Sequence, residues 1–131
     1  MEPFDVDVRA AAKRYAERRL RRREAAQERL SRAQSAAAQL VGYITTMWQP
    51  RAVYLWGSLV HTERFSEMSD IDIAIEGFPA GEPELARIRD VADRLTDIPL
   101  DLVVLERLDP GRAELIKRFG KRVWPEDRHA G

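Results

Sequence analysis

The segment from 52 to 75, AVYLWGSLVHTERFSEMSDIDIAI, holds the residues best suited to chemistry. Asp70 and Asp72 stand two positions apart where an alternating run, IDIAIE (71–76), begins. On a strand, residues two apart point to the same side. The two carboxylates therefore share one face, and Ile71, Ile73 and Ile75 share the other. A further carboxylate, Asp101, sits in a second apolar run, LDLVVL (100–105), between Leu100 and Leu102. If these runs are neighbouring strands, the three carboxylates converge on one patch. Grouped like charges raise one another's pKa unless a cation compensates. Mg2+ is suited to that task, because it binds through one or two carboxylates together with substrate phosphates and waters. Two such ions clamp an in-line phosphoryl displacement. Taken alone, a D-x-D has a plainer reading, since Asp often closes a strand end against backbone N–H groups.

Gly57-Ser58 shifts that balance. It follows the apolar run AVYLW (52–56) and precedes a polar stretch that reads as a short helical turn plus loop. The glycine lets backbone approach a ligand closely, the serine offers a hydroxyl, and amides at a helix start favour anions. An ordinary turn explains Gly-Ser by itself. The combination is more specific: a strand, Gly-Ser, eleven residues (59–69), D-x-D on a strand, then Asp101 on a later strand.

The elements that must position these groups are legible from pattern. Residues 5 to about 48 contain no proline and no glycine before Gly42, and are rich in Ala, Arg, Glu, Gln and Leu. Such composition favours helix. Its later half carries an apolar stripe, Ala33, Ala37, Leu40, Ile44, Met47 and Trp48, near the helical period. Its earlier half, RRLRRREAAQER, has little apolar face beyond Leu20, and a helix polar all round is solvated or meets a partner. Ser31 offers a point of interruption, so one unbroken helix is not assumed. Pro50 ends the helical run. AVYLW reads as a strand covered on both faces, and IDIAIE as a second strand. GFPAGEP (77–83) is a turn cluster. A helix is expected over 84–95, with Leu85, Ile88, Val91, Ala92 and Leu95 on one side, then a third strand over 100–105. Asp109 is the expected N-cap and Pro110 the first residue of a last helix that Gly120 closes. A short Val123-Trp124 segment follows. The order predicts an α/β (α+β) layer architecture. Its divisions are a basic helical extension over 1–34, a catalytic domain over 35–125 and a polar tail over 126–131.

Composition narrows the function classes. The chain has 131 residues, a net charge of zero and no cysteine. Length suits one domain with a real core. Disulfides and thiolate metal sites are excluded. His61 and His129 are the only imidazoles, which argues against zinc and leaves hard-cation oxygen sites. Charge is unevenly placed: residues 1–32 hold ten Lys/Arg against six Asp/Glu, and the remainder twelve against sixteen. A neutral chain gives no bulk case for nucleic-acid binding. No apolar run reaches membrane-spanning length. The start, MEPFDVDVRA, lacks a basic segment followed by an apolar core, so no secretory leader is expected and the expected location is cytoplasmic.

The strings LWGSL, SDIDIAI and LDLVVLE, carrying Gly57, Ser58, Asp70, Asp72 and Asp101, resemble the DNA polymerase β-like nucleotidyltransferase superfamily, and most of all its minimal nucleotidyltransferase (MNT) group. The ending AELIKRFGKRVW resembles that group's last helix and short strand. The resemblance spans about residues 35 to 124, and the basic extension lies outside it. Many members carry Arg-Gly shortly after Gly-Ser, where this chain has His61-Thr62. The resemblance implies a small mixed β-sheet of the nucleotidyltransferase fold flanked by helices, with a long N-terminal helical extension. It implies that Asp70 and Asp72 hold two Mg2+ ions. Asp101 would share the catalytic metal and help activate the acceptor hydroxyl, and Gly57 and Ser58 would bind the phosphates of ATP or another NTP.

The acceptor is expected to be supplied from outside, because polymerases and small-molecule transferases of this superfamily use further domains to hold it. The MNT group resembles the present arrangement, and its members pair as antitoxins with HEPN-type toxins that they AMPylate. The reading that results is transfer of an NMP, AMP from ATP, to a hydroxyl of a partner toxin. A binding-only antitoxin or adaptor is the alternative from another class. A stand-alone transferase acting on a small molecule or RNA end is the remaining one. Trp48, Trp56, Trp124 and Tyr54 are expected to pack, and Arg64, Lys117 and Lys121 to be solvated charges. The run from Arg18 to Arg23 has the plain reading of a solvated helix face paired by Glu17, Glu24 and Glu28; as a binding surface it reads as a partner or self-association surface rather than an RNA site.

Overall fold

The computed structural model describes residues 3–126, with side chains from Asp7 onward; of the 126–131 tail only Glu126 falls within it, and His129 lies outside the described residues. Helix α1 runs unbroken from Pro3 to Trp48, 46 residues and roughly 70 Å at 1.5 Å per residue. Ser31 does not interrupt it. A lone serine costs a helix little when its flanks are Ala, Arg, Gln and Leu. The helix stops where Gln49 turns into the left-handed region at φ 47° and Pro50 follows. Gln49 N–H still donates to the Thr45 carbonyl at 3.1 Å, which closes the last turn.

Strands β1 (Ala52–Trp56), β2 (Ile71–Glu76), β3 (Leu100–Val104) and β4 (Lys121–Trp124) form one mixed sheet in the order β3-β2-β1-β4. β1 is antiparallel to both β2 and β4, and β2 is parallel to β3. Helix α2 (Glu82–Leu95) provides the crossover between the parallel pair, as parallel pairing requires. It starts two residues before the expected 84, because Glu84 reaches back to Gly81 N–H at 3.0 Å and caps the turn. Helix α3 (Pro110–Phe119) starts as expected from its N-cap: the Asp109 carboxylate accepts from Arg112 N–H at 3.3 Å.

Alternation splits the sheet into two faces. Val53, Ile71, Ile73, Ile75 and Leu102 face α1 and α2, meeting Ala33, Ala37, Leu40, Ile44, Leu85 and Ile88. Alanines on α1 let the helix axis lie close to the sheet. The opposite face carries Ala52, Tyr54 and Ala74, covered by Leu105 and by Ile116 of α3. Asp72 and Asp101 lie on this second face by the same alternation. Among the described residues, no helix is long and apolar enough to cross a membrane.

Only the C-terminal part of α1 is built into this core. Ala33, Ala36, Ala37, Leu40 and Ile44 are buried, whereas nearly every side chain between Asp7 and Glu28 is exposed. Ile44→Ala should therefore cost about 2–5 kcal/mol in urea unfolding. Leu20→Ala should stay within about 0.5 kcal/mol of the parent.

Candidate active site

The carboxylates meet where β1 ends and β2 begins. Trp56 is the register partner of Asp72 across the antiparallel pair, and Asp72 is the register partner of Asp101 across the parallel pair. Asp72 and Asp101 thus stand side by side on adjacent strands. Asp70 is set one residue before β2 and is exposed. Its two neighbours pin it. Ile71 is buried, and its N–H donates to the Pro99 carbonyl at 2.9 Å, which opens the β2–β3 ladder. Ser69 is buried as well; its hydroxyl accepts from Ser66 N–H at 2.9 Å, and its carbonyl accepts from Arg29 Nη2 at 3.0 Å.

Gly57 closes the other side of Asp72. Its φ is +68°, a conformation that favours glycine, and a side chain there would collide with Asp72 Oδ2 and stand 3.3 Å from its Cγ. The strand-end carboxylate is therefore tucked against bare backbone. Gly57 also opens a short 3-10 turn, Gly57–Leu59, in which Val60 and His61 both donate to the Gly57 carbonyl at 3.1 Å. Leu59 and Phe65 are buried and hold the two ends of the following loop.

Charge at this point is uncompensated. Burial pushes the Asp72 carboxyl up to about 7, helped by the Asp101 and Asp70 carboxylates. None of the four ion pairs among the described residues involves any of the three. Nor do three such groups form a ready-made metal cage among the described residues. The structure brings Asp72 and Asp101 together and sets Asp70 within electrostatic reach. This donor set fits Mg2+, which needs only one or two carboxylates and takes its remaining ligands from phosphates and water.

Sequence reasoning missed the other wall. On the α3 side of Gly57 lies a cavity of about 300 Å³, lined among others by Trp56, His61, Arg112, Leu115 and Phe119. Leu115 and Phe119 are each 57% exposed, and the Trp56 indole N–H is buried with no partner among the described residues. Gly120 permits this approach, since a side chain there would stand 2.8 Å from the Leu55 carbonyl oxygen. The signal was the apolar pattern of α3, which reads equally as core. Arg29 was missed because an arginine in a basic helix gives no sign of which carbonyl it will reach. Lys117 does not face the cluster: it pairs with Glu76 at 2.7 Å, at the far end of β2.

A family model described as polymerase beta, nucleotidyltransferase matches residues 38–129. The chain belongs to this nucleotidyltransferase family. Its mixed sheet and flanking helices are the nucleotidyltransferase fold. Among solved structures, it is similar to a toxin–antitoxin crystal structure with AMP-PNP, at 20% identity and a TM-score of 0.55, covering 70% of this chain and 75% of that one. A crystal structure of the toxin–antitoxin MntA-HepT is similar at 19% identity and a TM-score of 0.53, covering 71% and 73%. At such identities the likeness is one of fold. No curated protein matches the nucleotidyltransferase chain in sequence. The family match begins at residue 38, so most of α1 lies outside it.

The raised Asp72 pKa predicts a pH effect in the metal-free protein. The folded chain holds that proton up to about pH 7, whereas the unfolded chain releases it near pH 4. The folded state binds the extra proton between those values, so stability falls as pH rises through the window and the penalty is complete above it. In EDTA, the parent should lose roughly 1–2 kcal/mol more than Asp72→Asn between pH 5 and pH 8, after discounting for solvent exposure. Mg2+ should restore this at pH 8 in the parent alone. Parallel urea-unfolding profiles for the two proteins would count against the assignment.

Proposed function

We propose that this chain is a Mg2+-dependent nucleotidyltransferase that moves an NMP, AMP from ATP, to a hydroxyl of a partner protein. The partner we propose is a HEPN-type toxin, with this chain as its antitoxin. The observation that carries the reading is the side-by-side placement of Asp72 and Asp101, with Gly57 cradling the Asp72 carboxylate. Support for the nucleotide and for the partner comes from the fold relatives, described as a toxin–antitoxin with AMP-PNP and as MntA-HepT.

In this reading the acceptor oxygen forms a bond to the α-phosphorus, the bond to the bridging oxygen of the β-phosphate breaks, and pyrophosphate leaves. Asp70, Asp72 and Asp101 would hold Mg2+, which supplies positive charge to the phosphates and to the attacking oxygen. The chain's own groups do the positioning. Gly57 and Ser58 present backbone and hydroxyl to the triphosphate. Asp101 is exposed at the outer side of the pair, where an incoming hydroxyl can pass it a proton. Leu115 and Phe119 offer an apolar wall to the nucleoside beside Gly57, and Arg112 a positive charge at its rim. Catalysis of this kind rests on position and electrostatics rather than on a covalent protein intermediate.

Incubation with Mg2+, each NTP and the protein encoded beside this chain should add one or more nucleotide monophosphates to that protein by intact mass spectrometry. Asp72→Asn should reduce the transfer at least 100-fold. Stable association without any mass gain would instead favour inhibition by contact alone. Asp101→Asn should lower kcat far more than it changes KM for ATP. Phe119→Ala should do the reverse, raising KM several-fold with kcat nearly kept; an unchanged KM would remove the nucleoside from that cavity.

A further inference from the structure

Residues 7–28 of α1 form an arm roughly 33 Å long that leaves the core. Its composition is uneven around the axis. The stripe that packs on the domain (Leu30, Ala33, Ala37, Leu40, Ile44) recurs at three- and four-residue steps. Continued toward the N-terminus, the same side of the helix carries Ala26, then Arg23, Arg22 and Arg19, then Tyr15, Ala12, Ala11 and Val8. The last four follow the i, i+3, i+4, i+7 pattern of a buried face. Yet Val8 is 50% and Tyr15 61% exposed. An apolar face therefore points the way the core-facing stripe points, beyond the part of the domain that could cover it.

The arginines between tip and core border a second feature. Arg19, Arg22 and Arg23 flank a groove of about 400 Å³ whose far wall is Ser66, Glu67 and Met68 of the loop leading to Asp70, three arginines against one carboxylate. Met68 is 88% exposed there. Among the described residues, none of the three arginines takes part in an ion pair. Two hydrogen-bonded residues tie this groove to the catalytic edge: Arg29 of α1 holds the Ser69 carbonyl, next to Asp70. Arm and loop thus enclose a notch whose loop wall ends two residues before Asp70.

We propose that this notch docks the protein that receives the nucleotide. Its surface would place an apolar ridge on Val8, Ala12 and Tyr15, and carboxylates opposite Arg19, Arg22 and Arg23. The proposal rests on the transferase reading and adds where the acceptor sits. Charge decides the occupant. The arm carries eight Lys/Arg against four Asp/Glu over residues 7–28, so an acidic surface is attracted and two arms side by side repel. A nucleic-acid backbone would use the arginines but has no match for the apolar tip, and Glu67 of the loop lines the same groove and repels phosphate. The exposed Met68 and Tyr15 are the kind of large side chains that anchor protein interfaces.

The test is calorimetric titration of the full chain, without NTP, against the protein encoded beside it. Tyr15→Asp and the triple change Arg19→Glu, Arg22→Glu, Arg23→Glu should each weaken binding at least 10-fold, with helix content by circular dichroism unchanged. Raising salt from 0.1 to 0.5 M should weaken the parent complex and scarcely affect the triple variant. No complex with the parent, or arm variants that bind as the parent does, would overturn the proposal. So would self-association of the chain alone, by light scattering, that Tyr15→Asp abolishes, or competition by a 20-nucleotide RNA at equal affinity. Because no nucleotide is present, docking can succeed while transfer fails, and transfer can succeed with an arm variant that binds normally. The two readings therefore fail separately.

Discussion

The constraint on which the site depends is a half-buried carboxylate with a like charge beside it and, among the described residues, no ion-pair partner. Asp72 is fixed there by the sheet, because its strand is central, bonded to β1 on one side and β3 on the other. It cannot swing away without breaking the alternation that buries Ile71, Ile73 and Ile75. The backbone that next approaches it must be glycine, since any side chain at position 57 would occupy the carboxylate's space. From this one placement follow the left-handed turn at Gly57, the exposed Asp70 and Asp101 on either flank, and the raised Asp72 pKa.

The remaining architecture gives that placement its rigidity. One face of the sheet is sealed by α1 and α2, so the strands cannot rotate. The other is covered by α3 and the short turn at Leu105 before it, and Asp101 beyond them is exposed. Arg29 and the Ser66–Ser69 hydrogen bond fasten the loop before Asp70, and Pro99 starts the ladder behind it. A site built on strand ends and one pinned loop is stiff where the proposed metal and phosphates would be held. Its exposed Asp70 and Asp101 are where the proposed acceptor would enter.

The long helix serves the fold with one half and projects with the other. Its buried half works through alanines, which bring it close to the sheet. Its outer half buries almost nothing, so its sequence is free of packing demands and its apolar and arginine residues need another explanation than the core. That separation also explains why the family match starts at residue 38: the model covers the part that folds around the carboxylates, together with the last turns of α1 that seal it.

Local pattern alone determined the element order, the strand that ends before Gly57, the strands carrying Asp72 and Asp101, the cap at Asp109 and the apolar stripe from Ala33 to Ile44; Met47, expected to continue that stripe, is exposed. Period-two and period-3.6 alternation, together with cap chemistry, act within a few residues and can be read from them. The same pattern predicts Asp70 and Asp72 on one face, and the strings LWGSL, SDIDIAI and LDLVVLE resemble the family that the match over 38–129 shows. Tertiary structure decided what depends on distant segments meeting. It decided that β2 and β3 are parallel neighbours with Asp72 opposite Asp101, and that Gly57 leaves room for a carboxylate fifteen residues away. It also decided that Arg29 holds Ser69 and that Leu115 and Phe119 line a cavity instead of a core. Ser31 is the instructive case. Its local preference for an end was overridden by helix-forming neighbours on both sides and by packing of Ala33 and Ala37, so the extension and the domain share one helix.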